Sequence, residues 1–230
     1  MNVLIIDNSV DTAEILSLCF GMRWPNSIIN RAATGAEGIQ LVKEDEPDLI
    51  ILEATLPDID GYEVCRSIRS FSNVLIFMLS VRNEDKDIIK GLETGADGYM
   101  TKPFSHLQFL AQIQALLRRT LKINGFNQNR PFVSNNLMVN FDMREVRIHN
   151  NLVKLTNIEF NLLSCLVRNP GRPLSKTSLL EEIWGPGHDN TPYLLKVHIQ
   201  HLREKIEEDF SKPRYVLTER GVGYKFSTIG

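Results

Sequence analysis

The 230-residue sequence is poor in the features that place a protein in a membrane or stabilise it with disulfide bonds. No apolar run approaches the roughly 20 residues that a membrane-spanning helix needs. The N-terminal segment MNVLIIDNSVD reaches acidic residues at once and lacks the basic start of a signal peptide. The three cysteines, Cys19, Cys65 and Cys165, are far apart and fit neither a disulfide framework nor a zinc knuckle. We therefore expect a protein of the reducing cytoplasm, without membrane contact.

Net charge is also small, at −2, but it is unevenly distributed. Residues 1–120 carry 11 Lys and Arg against 17 Asp and Glu, a net charge of −6, whereas residues 133–230 carry 13 against 11, a net charge of +2. Strong nucleic-acid binders are usually more basic than either part. The change of sign still predicts two units with different partners.

The first 120 residues alternate short apolar runs with amphipathic helical patterns. Five runs are typical of strands: VLII (3–6), SIINRA (27–32), DLIIL (48–52), VLIFML (74–79) and DGYM (97–100). Helical patterns follow them at 9–20, 35–44, 61–70, 84–94 and 105–119. This alternation predicts βαβ crossovers and an α/β fold, a doubly wound five-stranded parallel sheet covered on both faces.

The second part of the chain has a different order of elements. Residues 121–131 are rich in Asn, Gly and Gln and end in Pro, which predicts a linker. In residues 132–230, strand patterns at 137–141, 144–150 and 152–155 precede helical patterns at about 157–168, 175–184 and 191–208. The segment YVLTERGVGYKF then predicts a hairpin with its turn at Arg220-Gly221. Strands, three helices and a closing hairpin are the order of an α+β winged helix-turn-helix domain.

Polar residues follow the predicted strands of the first domain where each strand ends. Asp7 and Asn8 follow the first strand, Glu53 the third, Ser80 the fourth and Lys102 the fifth. Because the carboxyl ends of parallel strands meet at one edge of the sheet, where ligands bind, these side chains should share a crevice. Acids, a hydroxyl and a lysine there are typical of phosphoryl transfer, in which the acids hold Mg²⁺ and the ammonium neutralises negative charge.

Four segments, in this order, resemble the receiver domain of two-component response regulators: IIDNSVD, PDLIILEATLPDIDGYEV, IFMLSV and GADGYMTKPF. The second half resembles the OmpR/PhoB DNA-binding domain in LTNIEFNLLSCL, IWG, VHIQHLREKIE and TERGVGYKF. Together the matches span nearly the whole chain. The resemblance implies a flavodoxin-like receiver (1–120) that accepts phosphate on an aspartate from a histidine kinase. It also implies a winged-helix domain (132–230) that binds double-stranded promoter DNA.

The pocket departs from that family pattern at three positions. Glu53 stands at the phosphoacceptor position, which the resemblance assigns to aspartate. Asn8 replaces the second acid of a pair, a direct Mg²⁺ ligand in the family, and Val81 replaces a small residue that leaves room for the phosphoryl group. The remaining pocket positions match the family: Asp7, Ser80, Tyr99 and Lys102.

These departures predict a receiver that phosphate does not switch. Asn8 lacks the charge that attracts a hard dication, so we expect weak or absent Mg²⁺ binding and no cofactor. The extra methylene of Glu53 shifts its oxygens by on the order of 1 Å, a misplacement that can cost about 100-fold in rate. With Asp7 and Glu53 facing Lys102, charge nearly balances without metal, which predicts a direct Lys102–Glu53 ion pair. Glu53 then either holds Ser80 and Tyr99 near the arrangement that phosphate would induce or is merely structural.

The face that the family uses for dimerisation is altered as well. The resemblance places charged pairs on the fourth helix, fifth strand and fifth helix, and this chain has Ile88, Gly98, Gln108 and Gln112 there. Ile88, with Leu107 and Phe109 nearby, could give an apolar patch of the kind that often marks an interface, although we expect Phe109 in the domain core. We expect a homodimer that depends less on salt than the family's usual one.

The last long helix has the pattern of a DNA-reading helix. Leu195, Ile199, Leu202 and Ile206 predict a buried stripe. Residues that the resemblance assigns to DNA are Tyr193, Lys196, Val197, Gln200, His201 and Arg203 on the helix and Thr218 and Arg220 on the hairpin. His198 and His201 have zinc-like spacing without an evident third ligand. The resemblance assigns the 184–190 loop to contact with RNA polymerase.

Other functions fit parts of this pattern. A conventional phosphorylation-switched regulator, or a receiver that senses a small molecule or partner protein, are the alternatives within the family. A phosphohydrolase also uses a strand-end carboxylate with Lys and Ser, but it needs Asp, Mg²⁺ and a substrate-covering cap. We therefore expect a DNA-binding transcriptional regulator and not an enzyme.

Overall fold

The computed structural model describes the backbone of residues 1–122, 131–185 and 192–227, and the side chains of residues 1–117, 131–185 and 193–227. The chain divides into two compact units, Met1–Ile113 and Gln114–Gly230. Most of the predicted linker, residues 123–130, lies outside the described residues. No described helix is long and apolar enough to cross a membrane.

The first unit is built on a five-stranded parallel sheet with the strand order β2-β1-β3-β4-β5. Its strands are β1 (Asn2–Ile6), β2 (Ile28–Ala32), β3 (Leu49–Leu52), β4 (Leu75–Ser80) and β5 (Gly98–Thr101). Its helices are α1 (Val10–Arg23), α2 (Gly35–Asp45), α3 (Gly61–Arg69), α4 (Asp85–Glu93) and the start of α5 (His106–Lys122). The predicted doubly wound α/β fold is confirmed.

The centre of this sheet is buried on both faces, as its sequence indicated. Every residue of β3 and β4 is buried, because helices cover both faces of the sheet: α2 and α3 pack on the face with Ile50 and Met78, and α1 and α5 pack on the face with Phe77. Phe109 is fully buried and its ring lies 5.9 Å from Phe20 and 5.8 Å from Phe77, centroid to centroid. Phe109 therefore belongs to the core, as expected.

The segment after β3 is held close to the sheet by backbone geometry and a carboxylate. A Cβ atom on Gly61 would lie 2.2 Å from the carbonyl oxygen of Glu53, so only glycine permits this approach. Asp58 accepts hydrogen bonds from the backbone N–H groups of Gly35 (2.8 Å) and Ala36 (2.9 Å). These bonds to the charged form lower the pKa of the Asp58 carboxyl. The loop beside Glu53 is thus tied to the start of α2.

The second unit is an α+β winged helix-turn-helix domain. A four-stranded antiparallel sheet comprises β6 (Phe132–Ser134), β7 (Leu137–Asn140), β8 (Glu145–Ile148) and β9 (Asn151–Val153). The helices are α6 (Asn157–Val167), α7 (Lys176–Trp184) and α8 (Pro192–Ile206). A second sheet, in the order β10-β12-β11, comprises β10 (Leu174–Ser175), β11 (Val216–Glu219) and β12 (Gly223–Phe226).

Several element boundaries differ from the prediction. The strands β6 and β10 were not predicted, because two or three residues are too few to show a hydrophobic alternation. Helix α1 continues to Arg23 rather than ending at residue 20, and α8 ends at Ile206 rather than at residue 208. These shifts leave the predicted order of elements intact.

Candidate functional site

The strand-end residues of the first unit meet at one edge of the sheet. Asp7 follows β1, Glu53 follows β3, Ser80 ends β4 and Lys102 follows β5. The strand order puts β3 between β1 and β4, so Glu53 occupies the middle of the group. Asp7, Glu53 and Ser80 are buried, at 3%, 4% and 0% exposure. The structure thus brings these four predicted residues into one pocket.

Lys102 bridges the two acids of this pocket. Its Nζ donates a 2.7 Å hydrogen bond to Oδ2 of Asp7 and another of 2.7 Å to Oε2 of Glu53. The predicted Lys102–Glu53 ion pair is therefore confirmed. The other oxygen of Asp7, Oδ1, accepts the backbone N–H of Ser9 (2.8 Å). A single ammonium links residues that follow β1, β3 and β5.

The second oxygen of Glu53 is engaged as well. Its Oε1 accepts a 2.6 Å hydrogen bond from the hydroxyl of Ser80 and a 3.0 Å hydrogen bond from the backbone N–H of Thr55. The carboxylate therefore has three donors: the ammonium of Lys102, a hydroxyl and a backbone amide. A carboxylate that is held from three directions in a buried site has a fixed orientation.

A chain of hydrogen bonds continues from Ser80 to Tyr99. The backbone N–H of Arg82 donates to Oγ of Ser80 (3.2 Å), and the carbonyl oxygen of Arg82 accepts from the hydroxyl of Tyr99 (2.9 Å). The ring of Tyr99 lies against Gly91 of α4, where an added Cβ would approach Cδ2 of the ring to 2.8 Å. Burial, reinforced by a hydrogen bond with Tyr62, raises the pKa of the Tyr99 hydroxyl, which therefore remains a neutral donor.

Arg82 is a pocket residue that sequence reasoning missed. Both Nη atoms of its guanidinium donate to Oδ2 of Asp60 at 3.1 Å, and its Nε donates to Oγ1 of Thr55 at 3.2 Å. The guanidinium also lies over the ring of Tyr62, 5.0 Å from the centroid. Arg82 therefore joins the loop after β4 to the loop after β3. The only sequence signal was its position two residues beyond the strand-end Ser80.

The two other altered positions, Asn8 and Val81, lie at the surface rather than in the hydrogen-bonded group. The side chain of Asn8 is exposed, and its backbone carbonyl oxygen accepts a hydrogen bond from Nη2 of Arg31 at 3.3 Å. Val81 is 60% exposed. Across the described ranges there is no cluster of three or more His, Cys, Asp or Glu side chains arranged to hold a metal ion.

The residues predicted for a dimer face differ in exposure. Leu107 is 81% exposed and Gln108 is exposed, whereas Ile88 and Gln112 are half-buried and Gly98 is buried in β5. Leu107 is thus the one strongly exposed apolar side chain of these five.

In the second unit, α8 has a buried and an exposed face. The predicted stripe is confirmed, since Leu195, Ile199, Leu202 and Ile206 are at most 2% exposed. The opposite face contains the exposed Lys196 and Gln200 and the half-buried Tyr193, Val197, His201 and Arg203. Nε2 of Gln200 donates to Glu204 at 3.0 Å. His198, by contrast, is buried beside the ring of Trp184, and the two centroids are 5.3 Å apart.

The hairpin β11–β12 is fastened to α8 by Arg203. The guanidinium donates to the carbonyl oxygen of Val216 through Nε (2.9 Å) and Nη2 (2.7 Å), and Nη2 also donates to Oγ1 of Thr218 (2.8 Å). Two residues that were predicted to contact DNA, Arg203 and Thr218, therefore bind each other. Arg220 is exposed at the tip beside Gly221, which has a positive φ of 78°.

Lys176 is a further exposed cation that sequence reasoning missed. It begins α7, and its backbone N–H donates to the carbonyl oxygen of Val222 in the hairpin at 3.3 Å. The sequence did not show that Lys176 lies beside the hairpin, because this placement depends on the pairing of β10 with β12, which was not predicted. Of the loop 184–190, residues 186–190 lie outside the described residues.

Comparison with known proteins finds one family in each part of the chain. Residues 3–114 match the family described as "Response regulator receiver domain", and residues 150–226 match "Transcriptional regulatory protein, C terminal". The chain is 37% identical to the "Probable transcriptional regulator ycf27" of Guillardia theta, over 99% of this chain and 91% of that protein. It is 35% identical to the "DNA-binding response regulator MtrA" of Mycolicibacterium smegmatis, over 97% of this chain and 95% of that one.

Solved structures are also similar. The structure of a RitR mutant has a TM-score of 0.77 with 22% identity, over 98% of both chains, which shows the same fold. The response regulator DrrB of Thermotoga maritima, described as an OmpR/PhoB homolog, has a TM-score of 0.51 with 27% identity, over 98% of both chains.

Proposed function

The chain belongs to the OmpR/PhoB-type transcriptional response regulators, and we propose that it acts on promoter DNA without being switched by Mg²⁺-dependent phosphorylation. In this proposal the side chains of the receiver pocket take the place of the phosphate. The protein has no enzymatic role and acts in a reducing cytoplasm.

The observation that carries the proposal is that both oxygens of the Glu53 carboxylate already accept hydrogen bonds. Its three donors, from Lys102, Ser80 and Thr55, hold both oxygens inside the pocket. A carboxylate that attacks phosphorus must instead direct a free lone pair in line with the leaving group. Attack through Oε1 would have to break the short hydrogen bond from Ser80 or the one from Thr55, and attack through Oε2 would have to turn its remaining lone pair in line while the ion pair with Lys102 fixes its direction. Either change adds to the barrier for phosphoryl transfer.

The donor set also does not fit Mg²⁺. This ion needs near-octahedral oxygen ligands and is usually held by one or two carboxylates. Here the two buried carboxylates, Asp7 and Glu53, are ion-paired with the same ammonium of Lys102. The neighbouring Asn8 is neutral and exposed. We therefore assign the site no Mg²⁺ cofactor and derive no step through one.

We propose that Glu53 instead fixes the receiver in one arrangement. Three hydrogen bonds connect the pocket with the surface of α4 and β5: the hydroxyl of Ser80 donates to Glu53, the backbone N–H of Arg82 donates to Ser80, and the hydroxyl of Tyr99 donates to the carbonyl oxygen of Arg82. A carboxylate carries one negative charge where phosphate carries nearly two, so it imitates the phosphorylated state incompletely. The ion pair with Lys102 holds the carboxylate in a fixed position, and this fixed position compensates in part for the smaller negative charge.

The second domain is the proposed DNA-binding part. We propose that α8 enters the major groove with Lys196, Val197, Gln200 and His201 towards base edges, and that Arg220 contacts a phosphate or the minor groove. The exposure of Lys196, Gln200 and Arg220 supports this orientation. Arg203 contributes by fastening the hairpin to α8. The protein acts as a homodimer and contacts RNA polymerase through the 184–190 loop, in line with the family resemblance; no histidine kinase is required.

The test is DNA binding by unphosphorylated full-length protein, on a site first selected from a random DNA library. Glu53→Gln keeps the shape of the side chain but loses its charge, so we expect DNA binding several-fold weaker than in the wild type. Glu53→Asp, one methylene shorter, should lose the contact with Ser80 and also weaken binding. Equal binding by all three proteins would contradict a switching role for Glu53. A wild type that needs acetyl phosphate and Mg²⁺ to bind would contradict the whole proposal.

A further inference from the structure

Helix α1 has apolar residues on two faces, and only one of them packs against its own domain. Ala13, Leu16, Cys19 and Phe20 are buried against the sheet. On the outer face, Ile15, Leu18 and Met22 are exposed by 39%, 70% and 83%. We name these three residues the α1 stripe. Single exposed apolar residues are ordinary, but three in one continuous row mark an interaction surface.

A groove runs beside the α1 stripe. It lies between α1 and β2, the edge strand of the sheet, and has a volume of about 460 Å³. Val10, Leu18 and Ile29 form part of its apolar lining, and Glu14 and Arg31 contribute charged groups to it. Such a groove next to a ridge of side chains can accept the corresponding ridge of a second helix.

The charges at the two ends of α1 are opposite. Asp11 and Glu14 are exposed in the first half of the helix, and Arg23 is exposed at its end. Within the described residues, no ion pair is formed by any of these three side chains. The distance along the helix from Asp11 to Arg23 is about 18 Å at 1.5 Å per residue. In an antiparallel pair of α1 helices, Arg23 of each copy would therefore lie beside the acidic end of the other.

We propose that the α1 stripe is a self-association surface whose occupant is the α1 stripe of a second copy of this chain. The spacing of Ile15, Leu18 and Met22, three and four residues apart, is that of the seam between two packed helices. Around a two-fold axis, Ile15 of one copy packs against Leu18 of the other, and the reverse contact follows by symmetry. Self-association places the acidic end of each α1 helix beside the basic end of the other, so the charges at both ends are paired. This favours a second copy over an unrelated partner.

The contact is small, and this determines how it acts. One helix face per copy buries less than the roughly 800 Å² per partner of a standard stable interface, so the dimer is weak in free solution. Two copies on neighbouring DNA sites are held at high effective concentration, where a weak contact is sufficient. The α1 stripe is separate from the predicted face with Ile88, Leu107 and Gln112 on α4 and α5. It therefore provides cooperative binding to tandem sites in addition to that dimer.

The experiment is sedimentation velocity of full-length protein over a concentration series, with Leu18→Glu as the test variant. We expect its self-association through this surface to weaken by about tenfold or more, because a carboxylate replaces an apolar group at the centre of the contact. Leu152→Glu is the matched control, since it introduces the same charge at an exposed leucine of β9, outside both the α1 stripe and the predicted dimer face. Both sites are exposed, so circular dichroism should show unchanged folding.

A charge exchange tests the identity of the partner. Arg23→Glu and Asp11→Arg should each weaken association, and the double variant should recover it, because only a second copy of the same helix restores both pairs. An association constant that Leu18→Glu leaves unchanged, or a double variant that recovers nothing, would overturn the proposal. So would a wild type that stays monomeric in solution and binds tandem DNA sites without cooperativity. Single-site DNA binding by Leu18→Glu should remain normal, which separates this failure from failure of the proposed function.

Discussion

The hydroxyl of Ser80 donates a 2.6 Å hydrogen bond to Oε1 of Glu53, and both residues are buried. In a receiver that is switched by phosphate, the strand-end hydroxyl is expected to contact a phosphoryl oxygen. Here the protein's own carboxylate accepts that hydrogen bond. Under the proposed function, this contact takes the place of the one that phosphorylation would create.

The first prediction concerns modification of the pocket. Wild-type protein incubated with acetyl phosphate and Mg²⁺ should show no stoichiometric adduct of about 80 Da in its intact mass, because Glu53 is held by three donors. The positive control is the triple variant Asn8→Asp/Glu53→Asp/Val81→Ala, which restores the family pattern. A full adduct on the wild type would refute the prediction, whatever the triple variant does.

The second prediction concerns the stability contributed by Lys102. Lys102→Met leaves the buried carboxylates of Asp7 and Glu53 without their cation, and we expect a loss of about 3–5 kcal/mol in the free energy of unfolding. Urea denaturation measures the loss. In a double-mutant cycle, Glu53→Gln should cost less in the Lys102→Met background than in the wild type, because its partner is already absent. Additive losses would mean that the pair is not coupled.

The third prediction concerns the Arg82 contact between the two loops. Arg82→Ala removes a two-atom contact to Asp60 and the contact to Thr55, in a partly exposed site, and should cost about 1 kcal/mol of stability. Lys86→Ala is a suitable control, because the Lys86–Glu84 pair is largely exposed and its loss should be close to zero. A loss for Arg82→Ala that is no larger than that of the control would count against a role in joining the loops.

The fourth prediction separates DNA contact from domain stability. Lys196→Ala should weaken DNA binding and leave the unfolding temperature nearly unchanged. If Lys196 contacts a phosphate rather than a base, the salt dependence of binding should decrease by about one unit of slope. Arg203→Ala should lower the unfolding temperature, because Arg203 holds Val216 and Thr218. If Arg203→Ala retained full stability but lost DNA binding, the family's assignment of Arg203 to DNA would be favoured instead.

The fifth prediction concerns thiol reactivity. Burial foremost, with a smaller effect of Glu182, raises the pKa of Cys165 to about 11. At pH 8 only on the order of one thiol in a thousand is then deprotonated, and alkylation by iodoacetamide should be slow and increase about tenfold per pH unit up to pH 11. Burial also raises the pKa of Cys19 and Cys65. Denatured protein, in which all three react, is the control. Fast alkylation of the native protein near pH 7 would reveal a reactive cysteine.

The convergence of the pocket residues was predictable because it follows from one topological rule. Strand-end residues of a parallel sheet meet at one edge, so Asp7, Glu53, Ser80 and Lys102 were assigned to the same site from their order alone. The Lys102–Glu53 pair followed from counting charges in that site. Neither inference depended on a side-chain conformation.

The features that escaped prediction all depend on side-chain or loop conformation. Arg82 lies beyond the end of β4, and the direction of its guanidinium is set by the loop, which leaves no periodic pattern in the sequence. Arg203 occupies the half-buried border of α8, where helical periodicity cannot separate contact with DNA from contact with β11. The start of α7 at Lys176 beside the hairpin depends on β10, a strand of only two residues.

The Lys102 ammonium connects residues that follow three strands of the sheet, and it does so with atoms that are encoded in the gene. Phosphate and metal can be added to or removed from a folded protein, whereas this bridge consists of the chain's own side chains and belongs to its folded state. Under the proposed function, the cell then controls the response through how many copies it makes and how long they last. The rates of synthesis and degradation of the protein would then set the response, in place of phosphorylation of the pocket.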